Sequence, residues 1–157
     1  MAIEIGQQAP GFTLYDNNKK KVSLADYQGK NVVLLFFPLA FTSVCTAELC
    51  NVRDNIAVYN DANAQVLGIS VDSLFVLNRY KTEQNLNFPL LSDFNKDVSK
   101  AYEVLYETFP AFEMQGVSKR AAFVIDKTGT VKYAEICATP GDQPNFDTIL
   151  QTLVTLN

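Results

Sequence analysis

The feature that most constrains the fold is an uninterrupted apolar run from Val32 to Phe37, which ends at Pro38. A strand with one face in solvent alternates apolar and polar residues, whereas a strand covered on both faces does not. The run therefore predicts a central strand of a parallel sheet, with helices packed against the faces of that sheet. This pattern places the chain among the α/β proteins.

A helix is predicted directly after this strand, from about Val44 to Tyr59. Its apolar residues recur at three- and four-residue spacing, which indicates one buried face: Leu49, Val52, Ile56 and Tyr59. Thr42 or Ser43 is expected to cap the first turn. Cys45 then lies at the N-terminal end of the helix, where unpaired N–H groups and the helix dipole favour an anionic sulfur. Cys45 is therefore a candidate reactive thiolate.

Similar patterns predict the remaining elements. The first are a hairpin of Phe12 to Tyr15 and Lys21 to Leu24, a strand from Val66 to Val71, a helix from Leu74 to Gln84, a short strand from Pro89 to Leu91 and a short helix from Asp97 to Tyr102. After these come a loop from Val104 to Val117, a hairpin of Ala121 to Asp126 and Val131 to Ile136, and a closing helix capped by Asn145 with the apolar stripe Ile149, Leu150, Leu153 and Val154. A central βαβ unit followed by a hairpin and a closing helix is the arrangement of the thioredoxin fold. We expect an α/β protein with a central mixed sheet flanked by helices and an N-terminal β-hairpin.

Length and composition indicate one globular domain over residues 1–157. A chain of this size can bury roughly two-thirds of its unfolded surface around one core. The composition is 48% hydrophobic and 19% charged, and no apolar run approaches the ~20 residues of a membrane span. The segment from Met1 to Gly6 lacks a basic leader followed by an apolar stretch, so we expect a cytoplasmic, reducing location.

Charge and residue usage exclude several kinds of function. The net charge is −4, and no basic block extends beyond Lys19 to Lys21, so binding to nucleic acid is not expected. The chain has no histidine, which excludes Ser-His-Asp and Cys-His activation and most zinc and copper sites. Its three cysteines are too few for a disulfide scaffold and favour thiol chemistry. We expect no cofactor and no metal.

Pro38, Thr42 and Cys45 match the P-x-x-x-T-x-x-C signature of peroxiredoxins, and Arg120 lies where that family places its catalytic arginine. The chain resembles a peroxiredoxin along nearly its whole length. Further matching segments are Ala9 to Phe12, Glu48, Leu90 to Asp93, Val98 to Tyr102 and Phe123 to Asp126. The chain is most similar to the AhpE-like branch, with a second cysteine from the pattern of PrxQ, the bacterioferritin comigratory proteins. The resemblance implies a thiol-dependent peroxidase that reduces hydrogen peroxide and organic hydroperoxides.

The resemblance also implies a role for each matched residue. The Cys45 thiolate attacks one peroxide oxygen and becomes a sulfenic acid. Arg120 supplies a permanent cation that favours the thiolate and donates to the peroxide oxygens. Thr42 places its hydroxyl between sulfur and substrate, and Pro38, which has no N–H, shields the sulfur from solvent. Glu48, one turn after Cys45, orients Arg120 or Thr42.

The sulfenic acid must be resolved, and the PrxQ pattern implies that Cys50 does this by forming an intramolecular disulfide. Cys50 follows Cys45 by five residues, which in an α-helix gives a Cα separation of roughly 8 to 9 Å. A disulfide requires less than about 7 Å. We therefore expect the first turns of the helix to unwind during each cycle.

Cys137 has two interpretations. It follows the strand that ends at Ile136, and it could serve as a second resolving thiol or as an intersubunit thiol. A structural role is favoured because cysteine is among the most buried residue types.

Other mechanisms stay open at this point. One is a one-cysteine peroxidase resolved by an external thiol, and another is a thioredoxin-fold redox sensor or binding protein without turnover. A thioredoxin-type oxidoreductase is disfavoured because it would use C-x-x-C, and a structural zinc site because it would need four ligands. The reductant is expected to be a thioredoxin-like or glutaredoxin-like protein or a low-molecular-weight thiol, and both a homodimer and a monomer are compatible with the sequence.

Overall fold

The computed structural model describes residues 3–157. The strands in this range are β1 (Thr13–Asp16), β2 (Lys21–Ser23), β3 (Asn31–Phe36), β4 (Ala64–Ser70), β5 (Leu90–Ser92), β6 (Ala121–Ile125) and β7 (Val131–Ile136). The helices are α1 (Ser43–Asp54), α2 (Ile56–Asp61), α3 (Leu74–Gln84), α4 (Asp97–Ala101) and α5 (Phe146–Thr155), and Leu24–Tyr27 forms a 3-10 turn. Within the described range the strands form one seven-stranded sheet in the order β2-β1-β5-β4-β3-β6-β7.

Strand β3 is internal, as the apolar run predicts. It pairs parallel to β4 and antiparallel to β6, and every one of its residues is buried. Val33 and Leu35 belong to an apolar cluster that also contains residues of α1, α3 and α5. Leu34 and Phe36 belong to a second cluster on the opposite face, which includes Val98 of α4. The run lacks alternation because both faces of β3 are covered.

The mixed character of the sheet arises at its two sides. The predicted N-terminal hairpin, β1 and β2, joins the sheet through antiparallel pairing of β1 with β5. The predicted hairpin of β6 and β7 adds the opposite edge. The expected loop from Val104 to Val117 is confirmed, and an isolated antiparallel bridge between Leu105 and Ser118 closes its base. This closure brings the loop back toward the start of β6.

The prediction of one helix from Val44 to Tyr59 is wrong, because the chain breaks at Asn55 into α1 and α2. The Asn55 side-chain amide donates to the Asn51 carbonyl at 2.8 Å. An asparagine side chain that bonds nearby backbone in this way competes with the helical pattern.

The stripe predicted for α5 is also narrower than expected. Ile149 and Leu153 are fully buried, Leu150 is half-buried, and Val154 is 69% exposed. Ile149 and Leu153 are four residues apart and share one face, whereas Val154 is a further ~100° around the helix. Asn145 caps the helix as predicted, since its side chain accepts from the Thr148 N–H at 3.1 Å.

No helix within residues 3–157 combines the length and apolar character needed to cross a membrane.

Candidate active site

The turn between β3 and α1 carries Cys45 into the interior of the protein. Cys45 lies in the first turn of α1 and is 1% exposed. The preceding turn is fixed by Asp72, which follows β4 and accepts the Ala40 N–H at 2.8 Å. Ser70, the last residue of β4, donates its hydroxyl to the same Asp72 oxygen at 2.7 Å. Two neighbouring parallel strands therefore set the position at which α1 begins.

Thr42 occupies the N-cap position of α1, but its side chain makes no capping hydrogen bond. The expected capping bond is therefore absent. The Thr42 hydroxyl instead donates to the Leu39 carbonyl at 2.8 Å. Because this bond uses the hydroxyl hydrogen, the oxygen keeps its lone pairs as acceptors.

Arg120, the residue before β6, connects Cys45 with Glu48. Its Nη2 donates to Cys45 Sγ at 3.2 Å, and its Nη1 donates to Glu48 Oε1 at 2.6 Å. Arg120 and Glu48 are 2% and 0% exposed. The structure thus brings together three residues that the sequence analysis assigned to one site, although Arg120 is separated from Cys45 by 75 positions.

Pro140 completes the environment of the guanidinium, a contact that sequence reasoning missed. Its carbonyl accepts from Arg120 Nη2 at 3.0 Å and from Nε at 3.3 Å. Any residue type offers a backbone carbonyl, so the sequence carries no direct signal for this contact. Together with Glu48, Pro140 fixes the plane of the guanidinium so that it faces the sulfur.

Burial and charge oppose each other in the Arg120–Glu48 pair. Burial raises the pKa of Glu48 from 4.5 to about 7, although the charge and the hydrogen bond of Arg120 act to lower it. Burial acts to lower the pKa of Arg120, but the charges of Glu48 and Cys45 more than offset it and leave that pKa above its ordinary value. Arg120 therefore stays cationic. Glu48 Oε2 is buried without a hydrogen-bond partner among the described residues.

A cleft of about 220 Å³ opens beside the sulfur. We call it the Cys45 cleft, and its lining is Pro38, Leu39, Thr42, Ser43, Val44, Cys45, Phe109, Phe112, Met114, Arg120, Pro140 and Gly141. Phe109, Phe112 and Met114 come from the loop between α4 and β6. The loop is closed by a Phe109 N–H bond to the Met114 carbonyl at 2.7 Å. Sequence reasoning missed these three residues because the loop has no periodic pattern.

The other two cysteines lie in different environments. Cys50 is half-buried in α1, and its Sγ lies 3.7 Å from Gln84 Oε1. Cys137 is buried, and burial together with the charge of Glu135 raises its pKa to about 11. All three cysteines are free thiols. Since α1 is continuous from Cys45 to Cys50, their Cα atoms are separated by roughly 8 to 9 Å in this state.

Within residues 3–157, no group of three or more His, Cys, Asp or Glu side chains is arranged to hold a metal ion.

Comparison with known proteins agrees with this geometry. The model of the AhpC/TSA family matches residues 5–134. The chain belongs to the AhpC/TSA family, the peroxiredoxins. Alkyl hydroperoxide reductase E from Mycobacterium bovis is 39% identical to this peroxiredoxin over 143 residues, which cover 89% of each chain.

Solved structures support the same assignment. The crystal structure of Peroxidoxin BcpB from Mycobacterium tuberculosis superposes with a TM-score of 0.86 at 26% identity and covers 99% of both chains. The reduced 2-Cys peroxiredoxin from Plasmodium vivax gives a TM-score of 0.84 at 29% identity, covering 97% of this chain and 81% of the other. The thioredoxin fold of this peroxiredoxin is thereby confirmed, and the enzyme is a thiol-dependent peroxidase.

Proposed function

We propose that this peroxiredoxin reduces hydrogen peroxide and organic hydroperoxides at Cys45. The thiolate attacks the peroxide oxygen that carries the hydrogen, the O–O bond breaks, and the second oxygen takes up a proton from solvent and leaves as water or an alcohol. Cys45 becomes a sulfenic acid. The 3.2 Å contact of Arg120 with Cys45 Sγ, at the wall of a cleft, is the observation that carries the proposal.

Arg120 and Thr42 are proposed to contact the peroxide. The guanidinium stabilises the thiolate and the negative charge that develops on the departing oxygen. The Thr42 oxygen, whose hydrogen is used by Leu39, accepts a hydrogen bond from the hydroperoxide and aligns it with the sulfur. Pro38 is buried beside the sulfur and adds no competing N–H.

Glu48 is proposed to act through Arg120. Its 2.6 Å ion pair with Nη1 leaves Nη2 directed at the sulfur. Charge-assisted pairs of this kind fix the geometry of the guanidinium as well as its charge.

Apolar residues that line the Cys45 cleft support organic hydroperoxides as substrates. Phe109, Phe112 and Met114 line the same cleft as Cys45 and Arg120 and contribute apolar side chains to it. Phe112 is 89% exposed, so it offers apolar surface for the organic portion of a substrate. Hydrogen peroxide needs only the contacts proposed for Arg120 and Thr42, so the same site serves both substrates.

Cys50 is proposed to resolve the sulfenic acid. Its thiol forms the S–S bond with Cys45 while the S–O bond breaks and water leaves, so no further oxidant is required. The first turns of α1 must unwind for the two sulfurs to meet. A thioredoxin-like or glutaredoxin-like protein or a low-molecular-weight thiol then reduces the disulfide. We place the enzyme in the cytoplasm, which supplies such thiols, and a homodimer is a compatible assembly.

The test is to add one equivalent of hydrogen peroxide to the fully reduced protein and to map the cysteines by intact mass and peptide analysis. Wild type is compared with Cys50→Ser. We expect a Cys45–Cys50 disulfide in wild type and a trapped Cys45 sulfenic acid in the variant. A sulfenic acid in both proteins would mean resolution by an external thiol, and no rapid oxidation of Cys45 would contradict the proposed chemistry.

A further inference from the structure

Helices α1 and α3 are joined by a row of polar contacts beside the active site. The Thr46 and Tyr80 hydroxyls lie 2.9 Å apart, and Cys50 Sγ lies 3.7 Å from Gln84 Oε1. Thr46 and Cys50 are one turn apart on α1, and Tyr80 and Gln84 are one turn apart on α3. A third contact runs from Arg53 Nη1 to the Gln84 carbonyl at 2.5 Å. We call these five residues the α1–α3 contact row.

The contact row lies on the segment that has to unwind. Thr46 is the residue after Cys45, so Tyr80 holds the helix between the two cysteines. Gln84 holds Cys50 itself. In the folded helix the two Cα atoms are roughly 8 to 9 Å apart, and a disulfide needs less than about 7 Å. Resolution therefore requires the contacts at Thr46 and Cys50 to break.

Tyr80 is a rigid anchor for this row. Its side chain is fully buried, and its ring packs against Phe37 and Phe41 with centroid distances of 6.3 and 4.9 Å. Burial raises the pKa of Tyr80 to about 12, so the hydroxyl keeps its proton at neutral pH. The position of the hydroxyl is set by packing around α3, and Thr46 is the partner that departs when α1 unwinds.

We propose that Tyr80 and Gln84 are positioning residues of the resolving step, and that their contacts with Thr46 and Cys50 set how long Cys45 remains a sulfenic acid. This inference rests on the proposed role of Cys50. While α1 is folded, the sulfenic acid is out of reach of Cys50 but faces the Cys45 cleft. A second hydroperoxide can then oxidise it to a sulfinic acid with release of water or an alcohol. The strength of the contact row therefore sets the fraction of the sulfenic acid that forms the disulfide and the fraction that is overoxidised to the sulfinic acid.

The size of the effect follows from the bond that is lost. One intramolecular hydrogen bond changes an equilibrium by roughly 2- to 10-fold. Tyr80→Phe removes the hydroxyl and keeps the ring against Phe37 and Phe41. If unwinding precedes disulfide formation, we expect this variant to form the Cys45–Cys50 disulfide roughly 2- to 10-fold faster than wild type. It should also require more peroxide to accumulate sulfinic acid.

The matched control is Tyr102→Phe. Tyr102 is also fully buried, and its hydroxyl donates to the Pro10 carbonyl at 2.7 Å, away from α1. This control therefore loses a comparable hydrogen bond without touching the contact row. Gln84→Met keeps the side-chain length, removes the oxygen that faces Cys50, and is expected to accelerate the same step.

The experiment mixes each reduced protein with peroxide, quenches with acid at successive times, and quantifies sulfenic acid, disulfide and sulfinic acid by mass spectrometry. Hydrogen exchange of the amides of residues 46–50 is measured on the reduced proteins. Faster disulfide formation and faster exchange in Tyr80→Phe, with neither change in Tyr102→Phe, would support the inference. An unchanged or slower disulfide step in Tyr80→Phe, or an equal change in the control, would overturn it.

The same data separate two kinds of failure. If wild type forms the disulfide and Tyr80→Phe does not accelerate it, only the role of the contact row is wrong. If wild type forms no Cys45–Cys50 disulfide, the role proposed for Cys50 is wrong and this inference falls with it. An unchanged rate in Gln84→Met would remove Gln84 from the positioning residues.

Discussion

Cys45 and Cys137 are both buried, and both contact Arg120. Cys45 contacts the guanidinium of Arg120, whereas Cys137 contacts its backbone. Cys45 Sγ accepts from the guanidinium at 3.2 Å, whereas Cys137 donates its backbone N–H to the Arg120 carbonyl at 2.9 Å. Burial and the charge of Glu135 raise the pKa of Cys137 to about 11, although Arg120 acts to lower it. At Cys137 the nearby cation therefore does not offset the effect of burial and of Glu135 on the pKa. What distinguishes Cys45 is a guanidinium whose direction is fixed by Glu48 and Pro140.

The largest expected effect comes from removing the sulfur that faces Arg120. Cys45→Ser should lower the rate of peroxide reduction by more than about 1,000-fold, because a hydroxyl is a far weaker nucleophile than a thiolate at neutral pH. The measurement is peroxide consumption with an excess of dithiothreitol. Activity within tenfold of wild type would show that another cysteine reacts and would remove the distinction between Cys45 and Cys137.

Arg120→Lys tests whether direction matters beyond charge. Lysine keeps the cation but carries it on a single nitrogen, whereas Arg120 uses Nη1 for Glu48 and Nη2 for Cys45 and the Pro140 carbonyl. We expect the second-order rate of Cys45 oxidation to fall roughly 100- to 1,000-fold, the loss typical of one preorganised donor. The control is Arg79→Lys, since Arg79 is exposed and pairs with Glu83 on α3. A loss below threefold in Arg120→Lys would mean that charge alone prepares Cys45.

Glu48→Gln tests the group that orients the guanidinium. The pKa of Glu48 in the folded protein is about 7, above its ordinary value of 4.5. Between about pH 4.5 and pH 7, Glu48 therefore keeps its proton in the folded state but loses it in the unfolded state. The contribution of Glu48 to the free energy of unfolding is fully present below about pH 4.5 and is lost as the pH rises to about 7. Urea unfolding at several pH values should show wild type losing stability relative to Glu48→Gln across this window.

The control for this pH dependence is Glu83→Gln, a change at an exposed carboxylate on α3. Its stability should follow that of wild type at each pH. If the difference between wild type and Glu48→Gln were instead constant with pH, Glu48 would not titrate in this range.

The smallest effect on peroxide reduction is expected for substitution of Cys137. Cys137→Ser should keep peroxide reduction within about twofold of wild type, since its sulfur accepts nothing from the guanidinium. Stability should fall by roughly 1 to 3 kcal/mol because a hydroxyl is buried in place of a thiol. Peroxide turnover and urea unfolding measure the two effects. Loss of turnover without loss of fold would assign Cys137 to the reaction.

The sequence could predict the parts of the fold that periodicity encodes. β3 was predictable because the sheet buries both its faces, and α3 was predicted with the bounds that the structure shows. The break at Asn55 was not predictable from apolar spacing, because Ile56 and Tyr59 still pack against the core and continue the pattern across the break. The hydrogen bond from the Asn55 side chain to the Asn51 carbonyl does not change the spacing of the apolar residues.

The residues of the candidate site that could be predicted are those whose contribution comes from the type of side chain. The meeting of Cys45, Glu48 and Arg120 followed from a family motif, and no local pattern connects residues so far apart in the chain. The Pro140 carbonyl was missed because backbone groups are common to all residues. Phe112 was missed because its 89% exposure and positive φ of 59° belong to a loop conformation that periodicity does not describe.

The interruption at Asn55 limits how far a disturbance of α1 can spread. Helix formation is cooperative, so a single helix from Ser43 to Asp61 would tend to fray as one unit when its first turns open. The break makes α2 a separate unit, held against β4 with Tyr59 buried. Under the proposed resolution by Cys50, each turnover would unwind only a short length of chain, and α2, packed against β4, would stay in place while α1 refolds.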